Sequence, residues 1–172
     1  MNRRNLETLL LTLESTPALV AKAAAELDRS QIRRVPPGGG FSLLEHVWHL
    51  ADLEREGYGV RIRRILSEDE PPLSDFEGER IARERCYSKR DLAEGLVEFT
   101  AARARNIAKL RAVGNSDWRR RGMQYGVGAV SLEDIPRMMA EHDRGHTNEI
   151  AALLAYLKEG RPFEAHRASA VA

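Results

Sequence analysis

The sequence predicts an all-α protein built as one four-helix bundle. In four segments of about 20 residues each, the apolar residues recur at steps of three and four, which is the spacing of one buried helix face. Breaker sequences rich in proline and glycine separate these segments. The chain shows no alternating strand pattern and no internal repeat, so neither a sheet nor a solenoid is expected. Four amphipathic helices of this length pack as a bundle.

The first helix is expected over residues 5–28, with leucine, valine and alanine on its buried face. Proline breaks a helix interior but is tolerated in the first turn, so Ser15-Thr16-Pro17 suggests a main helix that starts there after a short helical lead-in. The second helix begins at the capping box Ser42-Leu-Leu-Glu45, in which serine and glutamate side chains bond each other's backbone N–H. Its apolar stripe continues to Leu66.

Two further cap signals start the remaining helices. Ser88-Lys-Arg-Asp91 precedes a third helix that ends near Gly114, and Ser131-Leu-Glu-Asp134 precedes a fourth that ends at Gly160. Pro136 leaves the start of the fourth helix open by several residues. The segment between the second and third helices is expected to be a long loop with room for one helical turn. A loop rich in glycine and arginine is expected before the fourth helix.

Length and composition fit a single domain. The 172 residues are 42% hydrophobic, which is enough for one core without disulfide support. We expect the bundle to span residues 1–160, and residues 161–172 to form a flexible C-terminal tail in which His166 has no role. The single cysteine, Cys86, excludes an internal disulfide and a zinc site of several thiolates. It is expected to be a small buried hydrophobic residue.

Charge and hydropathy exclude several classes of partner. The 27 basic and 26 acidic residues interleave and give a formal net charge of +1, so no surface for nucleic acid or membrane lipid is expected. No apolar run approaches the about 18 residues that a membrane-spanning helix needs. The first residues lead into an amphipathic pattern rather than the apolar core of a signal peptide. A cytoplasmic protein is therefore expected.

Two histidines of the fourth helix have the spacing of metal ligands. In His142-Asp-Arg-Gly-His146 the imidazoles are about 40° apart around the helix and about 6 Å apart along it, so both can reach one ion. The pair continues the buried stripe of that helix, so both side chains should point inward. Hydrogen-bonded core histidines are the equally weighted alternative. His49 of the second helix is a third candidate, provided that this helix packs beside the fourth.

Two motifs resemble those of the DinB/YfiT-like family. Phe41-Ser-Leu-Leu-Glu-His-Val-Trp-His49-Leu-Ala-Asp52 is similar to the family pattern W-S-x-x-E-x-x-x-H-L-x-D, and Glu141-His-Asp-Arg-Gly-His146-Thr-Asn-Glu149-Ile is similar to H-x-x-x-H-x-x-Q-I. Their order and spacing extend the resemblance over nearly the whole chain. It implies a four-helix bundle with one divalent metal ion on His49, His142 and His146. Phe41 and Glu149 depart from the family's tryptophan and glutamine.

Such a site would leave at least one coordination position open. Three imidazoles suit zinc, nickel, iron or manganese, and the open position lets the ion acidify a bound water or thiol. Asp52, one helical turn after His49, is predicted to be a catalytic residue that orients this imidazole or accepts a proton. Glu149 is interpreted as an outer partner of the site or as a fourth ligand. His46 is interpreted as an outer partner or core residue, with ligation the lesser alternative.

The resemblance implies a metal-dependent thiol transferase that uses a low-molecular-weight thiol and a small-molecule electrophile. Arg119, Arg120 and Arg121 are predicted to bind the carboxylates or phosphates of this anionic cofactor, and a solvated loop is the alternative. A second hypothesis is a non-catalytic metal-binding or stress-related bundle. A metal-dependent hydrolase is a lesser one, because Asp143, expected with Glu141 on a solvated face, replaces the glutamate of H-E-x-x-H. The resemblance also implies a homodimer.

Overall fold

The fold is that of a computed structural model, which describes residues 3–163. The α-helices of this range are α1 (Arg3–Ala25), α2 (Leu43–Asp52), α3 (Gly59–Ser67), α4 (Gly78–Glu84), α5 (Leu92–Arg111) and α6 (Ile135–Glu159). A π-helix over Leu53–Tyr58 joins α2 to α3 in one continuous rod. Four rods, formed by α1, α2–α3, α5 and α6, make the bundle. The predicted fold class is therefore confirmed, with the addition of α4 and a small sheet.

Pro17 lies inside α1 without interrupting it. A proline has no N–H to offer the carbonyl group four positions earlier, which here belongs to Leu13. That carbonyl oxygen instead accepts a hydrogen bond of 2.8 Å from Nη1 of Arg103 on α5. A main helix that starts at Ser15 is therefore the wrong prediction, because a contact between helices replaces the missing backbone hydrogen bond.

The second rod begins with the predicted capping box. Oγ of Ser42 accepts a hydrogen bond from the N–H of Glu45, whose carboxylate accepts one of 2.9 Å from the N–H of Ser42. The π-helix that follows differs from the single regular helix of the prediction. Its extra residue shifts the register, and Nδ2 of Asn106 on α5 donates a 2.8 Å hydrogen bond to the carbonyl oxygen of Glu54. Gly59 permits this approach, since a Cβ there would lie 2.8 Å from that oxygen.

A small three-stranded sheet packs beside α3. Its strands are β1 (Pro72–Leu73), β2 (Arg121–Gln124) and β3 (Gly128–Ser131). β1 runs parallel to β2, which pairs antiparallel with β3. The prediction of loops without strands is wrong here. Strands of two to four residues are too short to show an alternating pattern, and β1 pairs with a segment about 50 residues away along the chain.

The described residues form three apolar clusters, and the candidate site lies between the two larger ones. Leu53 of the π-helix and Met139 of α6 belong to one cluster, together with side chains of the sheet. Leu50 of α2 and Ile150 of α6 belong to the other. The second rod and α6 therefore pass from one cluster to the other between these positions. The histidines of both helices lie near this boundary.

The helix α6 ends at Gly160, where the sequence predicts its end. This glycine has a φ of +66°, a left-handed conformation that closes many helices. His166 lies outside the described residues together with most of the predicted tail. The tail and the domain boundary at residue 160 stay predictions. Among residues 3–163, no helix combines the length and the apolar character that a membrane span requires.

Candidate metal centre

Three histidines from two helices converge at the boundary between the apolar clusters. Nε2 of His142 lies 3.3 Å from Nε2 of His49 and 3.2 Å from Nε2 of His146. One ring nitrogen from each residue can be chosen so that all three lie within 4.8 Å of one another. The structure thus brings together the three histidines that the sequence and the resemblance single out.

These separations fit one shared metal ion. Two nitrogens that each lie about 2.1 Å from an ion are about 3.0 Å apart at a right angle and about 3.4 Å apart at a tetrahedral angle. Both observed separations fall inside that interval. Hydrogen bonds between the rings explain the arrangement less well. A ring nitrogen takes part in one in-plane hydrogen bond, as donor or as acceptor, and Nε2 of His142 faces two nitrogens.

Burial keeps two of the three rings in the neutral form that binds metal. Burial and the neighbouring imidazoles lower the pKa of His142 to about 2, and they hold the pKa of His49 well below its ordinary value. Both rings therefore carry a lone pair at neutral pH. His49 and His146 are buried, whereas His142 is partly exposed. His142 is therefore the least buried of the three residues.

Packing, rather than a hydrogen bond, orients His49. The ring centres of Phe41 and Phe76 lie 5.3 and 5.7 Å from that of His49. Gly78, the first residue of α4, lies against the edge of the ring. A Cβ at this position would overlap Cε1 of His49 and lie 2.6 Å from Nδ1. This Nδ1 is buried and has no hydrogen-bond partner in the described part of the chain.

A buried ion-pair network lies behind the histidines. Arg103 on α5 donates hydrogen bonds of 2.7 and 2.8 Å to the two carboxylate oxygens of Asp143, and its Nη2 lies 2.9 Å from Glu54. Oγ1 of Thr16 donates a further 2.7 Å hydrogen bond to Asp143. The solvated face predicted for Asp143 is therefore wrong. Burial raises the pKa of Glu54, and the guanidinium group of Arg103 opposes this shift.

Comparison with known proteins identifies the family of this chain. The model of the DinB superfamily matches residues 12–150, which include both histidine-bearing helices. The chain belongs to the DinB superfamily. A relative from Bacillus cereus strain AH820 is named "Putative metal-dependent hydrolase". It is 25% identical over 161 residues, which are 94% of this chain and 82% of that protein. A Bacillus licheniformis protein named in the same way is 34% identical over 76 residues, or 44% of this chain and 43% of that protein.

The DinB fold of this chain is also that of a solved structure. YfiT from Bacillus subtilis is described as "a probable metal-dependent hydrolase with an unusual four-helix bundle topology". It superimposes with a TM-score of 0.84 over 93% of this chain and 90% of that chain, at 20% sequence identity. At this identity the likeness concerns the fold. The DinB/YfiT-like resemblance drawn from the two motifs is confirmed.

Asp52, the predicted catalytic residue, lies in a separate network of this DinB protein. Its carboxylate is fully buried and accepts hydrogen bonds of 2.6 Å from Arg55, Arg85 and the hydroxyl group of Tyr87. Because Nδ1 of His49 has no partner, Asp52 does not orient that ring as predicted. Its contacts give Asp52 a structural role: it ties α2 to the segment that precedes α5.

The arginines predicted to bind an anionic thiol lie away from the histidines. Arg120 donates a 2.7 Å hydrogen bond to the carbonyl oxygen of Ile65 in α3, Arg121 forms an ion pair at the surface, and Arg119 is exposed. Ile65 follows His49 by 16 residues on the same rod, which amounts to about 24 Å at the helical rise. The structure does not bring these three arginines to the candidate centre, and the contact of Arg120 is structural.

His46 and Glu149, which the sequence leaves open, flank His146. Nδ1 of His46 lies 2.9 Å from Nδ1 of His146. A carboxylate oxygen of Glu149 lies 3.5 Å from Nδ1 of His146 and 3.7 Å from Nε2 of His46. His46, His146 and Glu149 form a second group of possible ligands that shares His146 with the first. Burial lowers the pKa of His46 to about 3, so its ring is also neutral at pH 7.

Other residues differ from their predicted surroundings or carry no sequence signal. Cys86 is exposed and has a φ of +51°, so the prediction of a buried cysteine is wrong. Glu141 is exposed, as predicted. Gly78 and Arg103 were not identified from the sequence, because each acts through a contact with a distant segment. An arginine inside a helical pattern is ordinarily a solvated residue, and no local signal distinguishes Arg103 from the rest.

Proposed function

We propose that this protein is a metal-dependent enzyme that transfers a low-molecular-weight thiol to a small electrophile. In this proposal His49, His142 and His146 hold a divalent ion through Nε2. The observation that supports it is the convergence of three buried or partly buried imidazoles. Within residues 3–163, this group of possible ligand atoms has three members, so an ion held there would keep at least one open coordination position.

The chain supplies the surroundings for chemistry at that open position. When bound, a divalent ion would lower the pKa of a water or thiol in the open position, so that a nucleophilic anion is present near neutral pH. Phe41 and Phe76 shield His49 from solvent, and the ring of Tyr58 lies 6.4 Å from that of His142. These aromatic walls suit the apolar part of a small electrophile. The substrate would approach from the more exposed side of His142.

Hydrolysis is the second candidate, with water in place of the thiol. The names of the Bacillus relatives favour it, since both are called metal-dependent hydrolases. Thiol transfer is favoured by the resemblance of the two motifs, although Arg119, Arg120 and Arg121 no longer support a binding site for an anionic thiol. Both reactions need the same three histidines. They differ only in the nucleophile.

The test is a comparison of both reactions on one metal-loaded preparation. Protein with zinc, nickel, iron or manganese is mixed with a small electrophile and a low-molecular-weight thiol, and in parallel with an activated ester and no thiol. Thiol transfer predicts thioether formation that depends on metal and falls at least about 100-fold in His146→Ala, as expected for a lost ligand. Asn148→Ala, an exposed change on the same helix, is the control and should keep full activity.

Ester cleavage without thioether formation would show that the nucleophile is water and not a thiol. The metal centre would then remain part of the proposal, and the reaction would be hydrolysis. Equal activity of wild type and His146→Ala in both reactions would contradict a catalytic centre at these histidines. Circular dichroism of each variant shows whether the fold is retained, so that a loss of activity can be assigned to the site.

A further inference from the structure

We propose that His46 and Glu149 are positioning residues that hold His146 in the tautomer with its proton on Nδ1. This tautomer leaves the lone pair of Nε2 directed at the candidate metal centre. The inference rests on the site of the proposed function and deepens it, because it assigns roles to two residues outside the three-histidine set.

The two nitrogens of His146 face different partners. Nε2 lies 3.2 Å from Nε2 of His142, whereas Nδ1 lies 2.9 Å from Nδ1 of His46. A ring nitrogen lies about 1.2 Å from the ring centre, so a straight 2.9 Å hydrogen bond would separate the two centres by about 5.3 Å. The observed separation of the ring centres of His46 and His146 is 5.0 Å. The contact therefore has the length of one N–H···N hydrogen bond, with some bending at the rings.

Only one of the two nitrogens carries the proton of that bond. If Nδ1 of His146 donates, then Nε2 of His146 has a lone pair and can bind metal. If His46 donates instead, Nδ1 of His146 is the acceptor, and a singly protonated His146 ring then carries its proton on Nε2, where it would block the metal. The direction of this hydrogen bond therefore decides whether His146 is ready to act as a ligand.

Glu149 favours the first arrangement. When Nδ1 of His46 accepts, the proton of the neutral His46 ring is on Nε2, which lies 3.7 Å from a carboxylate oxygen of Glu149. In the reverse arrangement the lone pair of this Nε2 would face the carboxylate, and two acceptors would repel each other. The same oxygen lies 3.5 Å from Nδ1 of His146, so it also favours a proton there. The charge of the carboxylate thereby favours a proton on the nearer nitrogen of each ring.

The surroundings hold His46 in place for this role. Its side chain is buried between α2 and α6, and the ring of Phe41 packs against it edge-on with centres 5.6 Å apart. The capping box at Ser42 fixes the start of the helix that carries His46. Because the ring of His46 has so little freedom, the position of its proton, which Glu149 favours, in turn determines the position of the proton on His146. Partners of this kind typically change metal affinity by about 10- to 100-fold when they are removed.

The experiment compares Glu149→Leu with Glu141→Leu, a matched change at an exposed position of α6. Long-range ¹H–¹⁵N spectra of the histidine rings in metal-free protein report the tautomer of His146, and competition titration with zinc reports affinity. We expect Nδ1–H at His146 in wild type, a mixed or reversed tautomer in Glu149→Leu, and zinc affinity reduced about 10- to 100-fold. Glu149→Gln keeps an acceptor oxygen and should restore most of the affinity. His46→Leu, which removes the acceptor of His146, is the second variant.

A wild-type His146 with its proton on Nε2 would overturn the inference. So would a Glu149→Leu protein with the wild-type tautomer and zinc affinity. If the wild type binds no zinc while the tautomer changes as described, the positioning role stands and the proposed function fails. If zinc binds equally to wild type, Glu149→Leu and His46→Leu, the metal centre stands and the positioning role fails.

Discussion

Neighbours of different kinds hold the ligands of the candidate centre. His146 has a hydrogen-bond partner at Nδ1, whereas His49 is held by the packing of Phe41, Phe76 and Gly78. A ring that is held by packing keeps its position only while the space along its edge stays free of other atoms. Gly78 is the sharpest case, because any larger side chain would occupy space that the edge of the imidazole now uses.

We expect Gly78→Ala to weaken zinc binding by at least about 10-fold, because the added Cβ must displace the ring of His49 by about 1 Å to reach ordinary contact. The overlap also strains the packing around His49, so the free energy of unfolding should fall by about 1–3 kcal/mol while the fold is retained. Gly114→Ala, whose Cβ would meet only the flexible end of Asp117, is the control. Competition titration with zinc checks the prediction. Wild-type affinity in Gly78→Ala would show that His49 has room to move.

Replacement of Asp52 distinguishes a structural role of this residue from the catalytic role that the sequence predicts. Replacement by asparagine leaves Arg85 and Tyr87 with a poorer acceptor in a buried place, so the free energy of unfolding should fall by about 1–3 kcal/mol. Zinc affinity should be retained, since Asp52 makes no contact with Nδ1 of His49. Urea unfolding and zinc titration of Asp52→Asn give the two values. Full stability with a large loss of activity would restore the catalytic assignment.

The convergence of the three histidines could be predicted from the sequence, whereas the residues around them could not. His142 and His146 share a helix face by their spacing alone, and His49 lies in a motif of the family. Arg103 and Gly78 have no such local signal, because their function depends on which helix packs against which. Asp143 was misassigned for the same reason: its partner Arg103 lies 40 residues away on another helix.

At the level of helices, one buried arginine supports three elements. Arg103 of α5 replaces the backbone hydrogen bond that Pro17 removes from α1, and it pairs with Glu54 of the π-helix and Asp143 of α6. The order of the helices and their approximate ends follow from hydrophobic periodicity and cap signals. The uninterrupted α1 and the π-helix do not, because side chains from α5 satisfy the irregular backbone of both.

Arg103→Met should therefore destabilise the bundle far more than a surface change. It keeps much of the side-chain volume but leaves two buried carboxylates without their counter-charge, which typically costs about 3–5 kcal/mol. Arg105→Met, at an exposed position of the same helix, should change the free energy of unfolding by less than about 0.5 kcal/mol. Urea unfolding of the two variants measures the difference. Similar stabilities would show that the network contributes little.

At the scale of the whole molecule, a polar layer separates two apolar clusters. This layer contains the three histidines, His46 and the network around Arg103. Most contacts of its polar side chains are with other polar side chains of the same layer. The bundle could be predicted from four apolar stripes. The sheet could not, because its short strands pair across the chain. A homodimer and a cytoplasmic location stay predictions.

The neutral histidines predict how the stability of the metal-free protein changes with pH. The pKa values of His46 and His142 are about 3 and about 2 in the folded state, against about 6.5 in an unfolded chain. Below pH 6.5 the unfolded chain binds protons that the folded chain does not. The free energy of unfolding should therefore fall between pH 6.5 and 5, by up to about 1.4 kcal/mol per pH unit for each histidine. His142→Leu should show a shallower slope, and a flat profile in the wild type would contradict the burial of neutral rings.

The central claim is that His49, His142 and His146 bind one metal ion, and its most direct test is the metal content of the protein. The chain is purified without a histidine tag or a chelator and analysed for metals beside a His142→Ala/His146→Ala double variant and the Asn148→Ala control. The account predicts about one divalent ion per chain in wild type and control, and none in the double variant. No metal in the wild type, even after reloading, or an equal content in the double variant, would contradict it.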